Sequence, residues 1–364
     1  MSENPEIFKI ITDYFSGEIS EGDKQILDEW LKDASNKKEF KAYAKANFLY
    51  IAEPDYKVET KGKVISLFNR NFLKIAAIFV LLLAVGVIWK LNIPKTSAPS
   101  TEFISIAVNG DYKVFENSSQ QKFLTDTDDV KLASLENGTL RLLKNTTTNN
   151  LTINVPNGKN LKVLLTDGTE ILLNAGTEIG FNSNFVKDHS RKINLKGQAF
   201  FEVAKDKSNP FYVITDQFTT KVLGTKFNIS SYKNENEAFV NLVEGKIEVS
   251  GTKIPTQKIL APGQKISFSP EIKTPVVEAA KPNQDMDWLN KEIAFENNTT
   301  DEVLSKIERV YGLQIVRNRV EVENFHFSGT FKIENLDQIT NTLQILLNCK
   351  IQKDGSKLIL ISKN

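Results

Sequence analysis

Residues 161–174 read LKVLLTDGTEILLN, two β-prone apolar runs on either side of Asp167-Gly168. An Asp-Gly pair tolerates the positive φ angles of a two-residue type I′ turn, so the stretch predicts a hairpin. The same design recurs at 239–250, FVNLVEGKIEVS, and at 257–269, QKILAPGQKISFS. Between about 103 and 270 the apolar runs stay short and turn dipeptides are frequent. This predicts an all-β domain over 103–275, with sandwich, barrel and solenoid all compatible. TTTNN at 146–150 reads as a polar loop within it.

Upstream the pattern changes. Residues 75–89, IAAIFVLLLAVGVIW, contain no charge, and Phe72, Leu73 and Leu91 lengthen the run. A bilayer core takes about 20 apolar residues, with flanking lysines snorkelling to the interface. The stretch 72–91 is therefore expected to be a transmembrane helix, bounded by a juxtamembrane linker at 56–71 and a Pro/Ser/Thr spacer at 92–102. Lys57, Lys61, Lys63, Arg70 and Lys74 precede it, whereas Lys90 and Lys95 follow. By the positive-inside rule the N-terminus is expected in the cytoplasm and the C-terminal region in the periplasm, as a single-pass inner-membrane protein.

Residues 1–55 carry helix punctuation: Asn4-Pro5 opens one helix, Gly17 closes it, Ser20 with Asp23 forms a capping box, and Ser35-Asn36 separates a third. Apolar residues fall on one face of each helix, and a domain this small is marginal alone. Tyr14, Phe15, Leu27, Trp30, Leu31 and Phe48 are therefore candidates for contact with a partner. Residues 1–70 hold 11 basic and 13 acidic side chains, a net charge of −2, which argues against direct nucleic-acid binding.

After a linker at 276–287, the unit 288–364 alternates strand and helix. A shift of 36 residues aligns its halves, Phe295 with Phe331, Asp301 with Asp337 and Leu313 with Cys349. Two tandem βαβ units are expected, their helices opened by Thr299 and Asn335 and the first closed by Gly312. The strands bearing Phe295 and Phe331 are candidates for docking a partner by edge pairing.

Five blocks then follow in order: residues 154–185, 191–215 (RKINLKGQAFFEVAKDKSNPFYVIT), 221–232 (KVLGTKFNISSY), 242–249 (LVEGKIEV) and 260–264 (LAPGQ). Together they resemble FecR-like proteins, the ferric-citrate-regulator family, and YFSGEIS with LDEWL at the N-terminus resembles that family's sigma-binding segment. The resemblance implies a transmembrane anti-sigma factor of the Bacteroidetes type. Its implied partners are an extracytoplasmic-function (ECF) sigma factor and the signalling domain of a TonB-dependent outer-membrane transporter, with periplasmic and intramembrane proteases acting on the chain. The C-terminal unit is similar to the short N-terminal domain of secretins and TonB-dependent transporters. The overall expectation is a multi-domain α+β chain. The rival reading is a membrane-anchored periplasmic module binding glycan or protein.

No enzyme chemistry is expected. The chain has 46 basic and 45 acidic residues, one cysteine (Cys349) and two histidines, so no metal or cofactor site is anticipated. The adjacent Asp188, His189 and Ser190 cannot relay a proton among themselves. Asp285 and Asp287 read as solvated linker charge. One bond stands apart, because some FecR-like regulators are thought to cut themselves at a Gly-Thr pair: Gly224-Thr225, where the hydroxyl could attack the preceding carbonyl.

Overall fold

The computed structural model describes residues 5–49 and 102–362, apart from 17, 116–121, 127, 145–148, 185, 188, 271, 273 and 319–324. The β region is a two-layer sandwich. One layer carries, in spatial order, Asp111–Phe115, Ile104–Val108, Asn150–Val155, Thr177–Asn182, the first half of Ser190–Glu202, Phe211–Ile214, Thr219–Val222, Ile247–Gly251 and Ile254–Leu260. The other carries Lys122–Thr125, Lys131–Glu136, Thr139–Leu142, Leu161–Leu164, Glu170–Leu173, the second half of Ser190–Glu202, Lys226–Ser231, Ala238–Glu244, Gln264–Phe268 and Val277–Ala279. Alternate residues of both layers point inward to one core that includes Ile153, Val163, Ile171, Phe201, Phe211, Phe227 and Ile266.

One strand serves both layers. Ser190–Glu202 pairs with Thr177–Asn182 through Asn194–Lys196 and with Lys226–Ser231 through Gly197–Glu202. The switch falls at Gly197, whose φ is +112°, and a Cβ there would lie 2.8 Å from Thr177 Cα. Only glycine lets the strand bend between the sheets so close to its neighbour.

The turns correct the hairpin expectations in two ways. Leu161–Leu164 and Glu170–Leu173 do pair antiparallel. Their connection is longer than a two-residue turn: the Gly168 amide donates to the Leu165 oxygen, the Leu165 amide donates to the Thr169 oxygen, and Gly168 but not Asp167 has positive φ. The other two supposed hairpins are corners. Ala238–Glu244 and Ile247–Gly251 lie in different layers, as do Ile254–Leu260 and Gln264–Phe268. Gly245 and Gly263 have φ of +97° and +78°. A glycine supplies positive φ equally to a hairpin and to an inter-sheet corner, so the dipeptide alone does not separate them.

The remaining elements form a second core. Helices α1 (Pro5–Ser16), α2 (Glu21–Trp30) and α3 (Ala34–Leu49) contribute Ile7, Ile10, Ile11, Tyr14, Phe15, Leu27 and Phe40. The C-terminal unit adds a one-turn helix α4 (Pro282–Asp285), α5 (Thr300–Tyr311) and α6 (Leu336–Leu346), with Phe295, Phe327, Phe331, Ile339 and Leu343 in the same cluster. Thr299 caps α5 in a reciprocal box with Glu302, and Gly312 ends it at φ +64°. Asp33 rather than Ser35 opens α3, its carboxylate accepting from the Ser35 amide at 2.7 Å.

The fold class expected with one transmembrane helix is corrected here. Helices α1–α3 pack on the C-terminal unit. Among the described residues no helix is long and apolar enough to cross a membrane, and more of them lie in strands than in helices. The apolar stretch 72–91, with its linker and most of its spacer, lies outside the described residues, as does Gly17.

In the C-terminal unit, expected as two tandem βαβ units, strands pair across the halves. Glu292–Thr299 pairs antiparallel with His326–Lys332, joining the first strands of the two halves. Gln314–Asn318 runs parallel to Lys357–Ser362, which pairs antiparallel with Cys349–Asp354. The halves are interleaved because each helix must cover a sheet that neither half completes alone.

Candidate functional site

The α1 face follows from spacing alone. Ile7, Ile10, Ile11, Tyr14 and Phe15 fall at i, i+3, i+4, i+7 and i+8 and are all buried. Phe15 stacks on Phe40 at 5.2 Å and meets Phe327 edge-on at 6.0 Å, while Tyr14 meets Phe331 at 6.1 Å. The Tyr14 hydroxyl donates to the Gln338 main-chain oxygen at 3.0 Å and also contacts the Thr342 hydroxyl. Burial raises the Tyr14 phenol above its ordinary range, against the opposing Thr342 contact. Leu27 is buried, Trp30 and Leu31 are half-buried, and Ile26 is 52% exposed, so the α2 face is narrower than its sequence suggests. Phe48 lies in α3, but its side chain is outside the described set.

Phe295 and Phe331 are 2% and 0% exposed. They face the core shared with α1 and α3, so these side chains present no open surface in this arrangement. In register Phe331 sits opposite Ile293 and Phe295 opposite Gly329.

Gly224-Thr225 sits between two strands of the sandwich. Thr225 is 4% exposed and its hydroxyl donates to the Lys246 carbonyl at 3.1 Å. A Cβ on Gly224 would meet Lys205 Cα at 2.8 Å, which gives this glycine a packing reason of its own. A Cβ on Gly245 would lie 2.9 Å from Thr225 Oγ1 and 3.0 Å from the Gly224 oxygen. The hydroxyl's hydrogen is committed to a main-chain acceptor rather than to a titratable base. Among the described residues there is no cluster of three metal-ligating side chains.

Where the β region meets the C-terminal unit, the structure brings together charges that sequence reading left in a linker or did not single out. Asp285 and Asp287 are 5% and 3% exposed, which corrects their reading as solvated charge. Asp285 accepts from Lys265 at 2.9 Å and from the Lys281 amide, while Asn228 donates to its main-chain oxygen. Asp287 accepts from Lys306 at 2.8 Å and from the Trp288 and Ala294 amides. Burial works against the charge of Lys265, but Glu237 and Asp285 outweigh it and hold its pKa above the ordinary value. Arg309 donates to Glu235 at 2.5 Å, lies 3.8 Å over the Tyr232 ring, and is held charged by Glu235 despite its burial. At the same joint the Gly158 amide donates to the Arg309 oxygen at 2.7 Å, and a Cβ on Gly158 would be 2.9 Å from Gly312 Cα. No cysteine, motif or period marks these residues. The turn residues Pro156-Asn157-Gly158 are the one signal, and they mark a turn rather than a contact.

The comparisons with known proteins fall on both of these regions. The FecR protein family matches residues 151–248, and the FecR C-terminal family matches residues 292–360. Two crystal structures of a candidate anti-sigma factor from Parabacteroides distasonis are similar in fold. One is 27% identical, with a TM-score of 0.52, and covers 59% of this chain and 100% of its own. The second is 27% identical, with a TM-score of 0.51, and covers 58% and 99%. No curated protein matches the chain.

Proposed function

The chain is FecR-like in its β region and in its C-terminal unit, and from that premise we propose that it regulates a sigma factor by holding it on the apolar face of α1–α3. The observation that carries this is the pairing of both FecR matches with a fold shared with a candidate anti-sigma factor. Family regulators of this kind are typically non-enzymatic. FecR proteins are in general inner-membrane proteins, and we place this chain at that membrane.

The finer reading is that the sigma factor is of the ECF type and that its signal comes from the signalling domain of a TonB-dependent transporter. The FecR resemblance and the C-terminal unit's likeness to secretin N-terminal domains support it. Contact candidates on α1–α3 are Tyr14, Phe15, Leu27, Trp30, Leu31 and Phe48. The strands bearing Phe295 and Phe331 are the candidates for the transporter. Self-cleavage at Gly224-Thr225 would accompany this role, and an unchanged band pattern on Thr225→Ala would rule it out.

The test is a pull-down with the full chain as bait. Recovery of a sigma factor, lost on Leu27→Asp while the β region stays folded, is the expected result. A bait that recovers none overturns the proposal.

A further inference from the structure

The sandwich and the C-terminal unit share no apolar core, because their buried apolar residues fall in separate clusters. The chain passes from one to the other at Ala280-Lys281. Before that point Val277–Ala279 pairs with Gln264–Phe268 and the Ala280 amide donates to the Gly263 oxygen, so this side belongs to the sandwich. After it, Lys281 pairs with Glu296, and Asp287 accepts from Lys306 and from the Ala294 amide, so α4 belongs to the C-terminal unit. Lys265 and Asn228 hold Asp285 close beside the crossing. From there a cleft runs to Glu235, with Glu237 on the sandwich wall and Glu296 and Glu302 on the wall opposite. At that end the two units touch through Arg309.

The seat of Arg309 allows withdrawal. Its guanidinium lies over Tyr232 and donates to Glu235, and its other neighbours are glycines. A Cβ on Gly176 would be 3.2 Å from Arg309 Cδ, and one on Gly158 would be 2.9 Å from Gly312 Cα. Glycines permit this close approach without side chains that interlock. Arg309 Nε is buried with no hydrogen-bond partner, as is Gln284 Oε1 in the cleft. Water would satisfy both on opening, which offsets part of the contacts given up.

We propose that Arg309 is a releasable latch and Ala280-Lys281 the hinge of one swinging motion, so that the C-terminal unit alternates between the closed form seen here and an open form in which Arg309 leaves Tyr232 and Glu235. Neither core rearranges in this motion. The hinge goes beyond the sigma-factor reading and holds whatever α1–α3 bind. A partner that prefers one form shifts the balance by its difference in affinity for the two.

Amide hydrogen exchange and paired nitroxide labels on the full-length chain test this. The labels sit at Lys246→Cys and Lys353→Cys, exposed positions on the sandwich and on the C-terminal unit, while Cys349 is buried. In the wild type the Gly158 amide, which donates to the Arg309 oxygen, is expected to exchange at least about tenfold faster than the paired amides of Lys226–Ser231. Arg309→Lys keeps the charge but loses the planar fork, and Glu235→Gln keeps an acceptor. Each should speed Gly158 exchange at least about a further fivefold, leave the Ala280 amide unchanged, and add a second label separation to the single one of the wild type. A Gly158 amide as slow as those strand amides, or one narrow label separation in all three proteins, overturns the motion. Ala280 exchange that rises together with that of Gly158 overturns the hinge, because the unit would then detach whole.

Discussion

The guanidinium of Arg309 lies 3.8 Å over the ring of Tyr232, joining helix α5 of the C-terminal unit to the β region. Its Nη2 also donates to Glu235, whose side chain is 22% exposed. Removing one partner of a buried pair strands the other, typically at a cost of 3–5 kcal/mol, and the partial exposure of Glu235 lowers this. Arg309→Ala is therefore expected to cost about 2–3 kcal/mol in urea unfolding. Adding Glu235→Gln should recover about 1 kcal/mol by removing the stranded charge.

Arg191 holds the sandwich in the same manner but with no exposed side-chain surface. It donates to Asp167 at 2.7 Å, to the Asn209 oxygen at 2.7 Å and to the Ala204 oxygen at 3.0 Å. Arg191→Ala should cost about 3–5 kcal/mol and greatly reduce folded yield. Asp167→Asn keeps an oxygen acceptor and should cost about 1–3 kcal/mol, a difference that thermal melts would resolve.

Gly158 and Gly168 both have positive φ, +73° and +88°, yet only Gly158 faces another backbone, Gly312. Alanine at either position carries the left-handed penalty of roughly 1–2 kcal/mol. Gly158→Ala should exceed Gly168→Ala by at least about 1 kcal/mol, because overpacking against main chain is not relieved by a rotamer change. Equal losses in parallel urea titrations would show that the joint yields.

Alkali should loosen the fold. Burial pushes the Tyr232 phenol up to about 12, and burial raises Tyr14 and Tyr311 as well. A folded pKa above the unfolded value gives stability that is complete below the unfolded pKa, near 10, and lost as pH rises through the folded one. The charged form of Lys265, favoured in the fold by Glu237 and Asp285, acts in the same direction. Stability is expected to fall from about pH 10 toward 12. Tyr232→Phe should flatten that decline, read from denaturant midpoints at successive pH values.

The sequence made the strands legible because their apolar alternation is local: each layer of the sandwich needs only its own period of two. It also made α1 and the Thr299-to-Gly312 boundaries of α5 readable, since caps and i, i+3, i+4 spacing act within one or two turns. Partners at long range were not legible. Glu244-Gly245 looks the same at a corner as in a hairpin, and Asp285 looks the same on a solvated linker as beneath Lys265. The packing of α1 on the C-terminal unit was not legible for a related reason, because apolar faces on α1 and on the strand through Phe331 do not reveal from sequence that they meet each other.

The aromatic contact of Phe15 with Phe327 has a consequence for how the molecule is made. About 280 residues separate the end of α3 from that strand, and ribosomes add roughly 5–20 residues per second. For something like a quarter of a minute to a minute, each nascent chain carries its first helices with nothing downstream yet synthesised to cover them. Until that strand appears, Phe15 has no ring from the C-terminal half to pack against, so this core is the last part of the molecule to be completed.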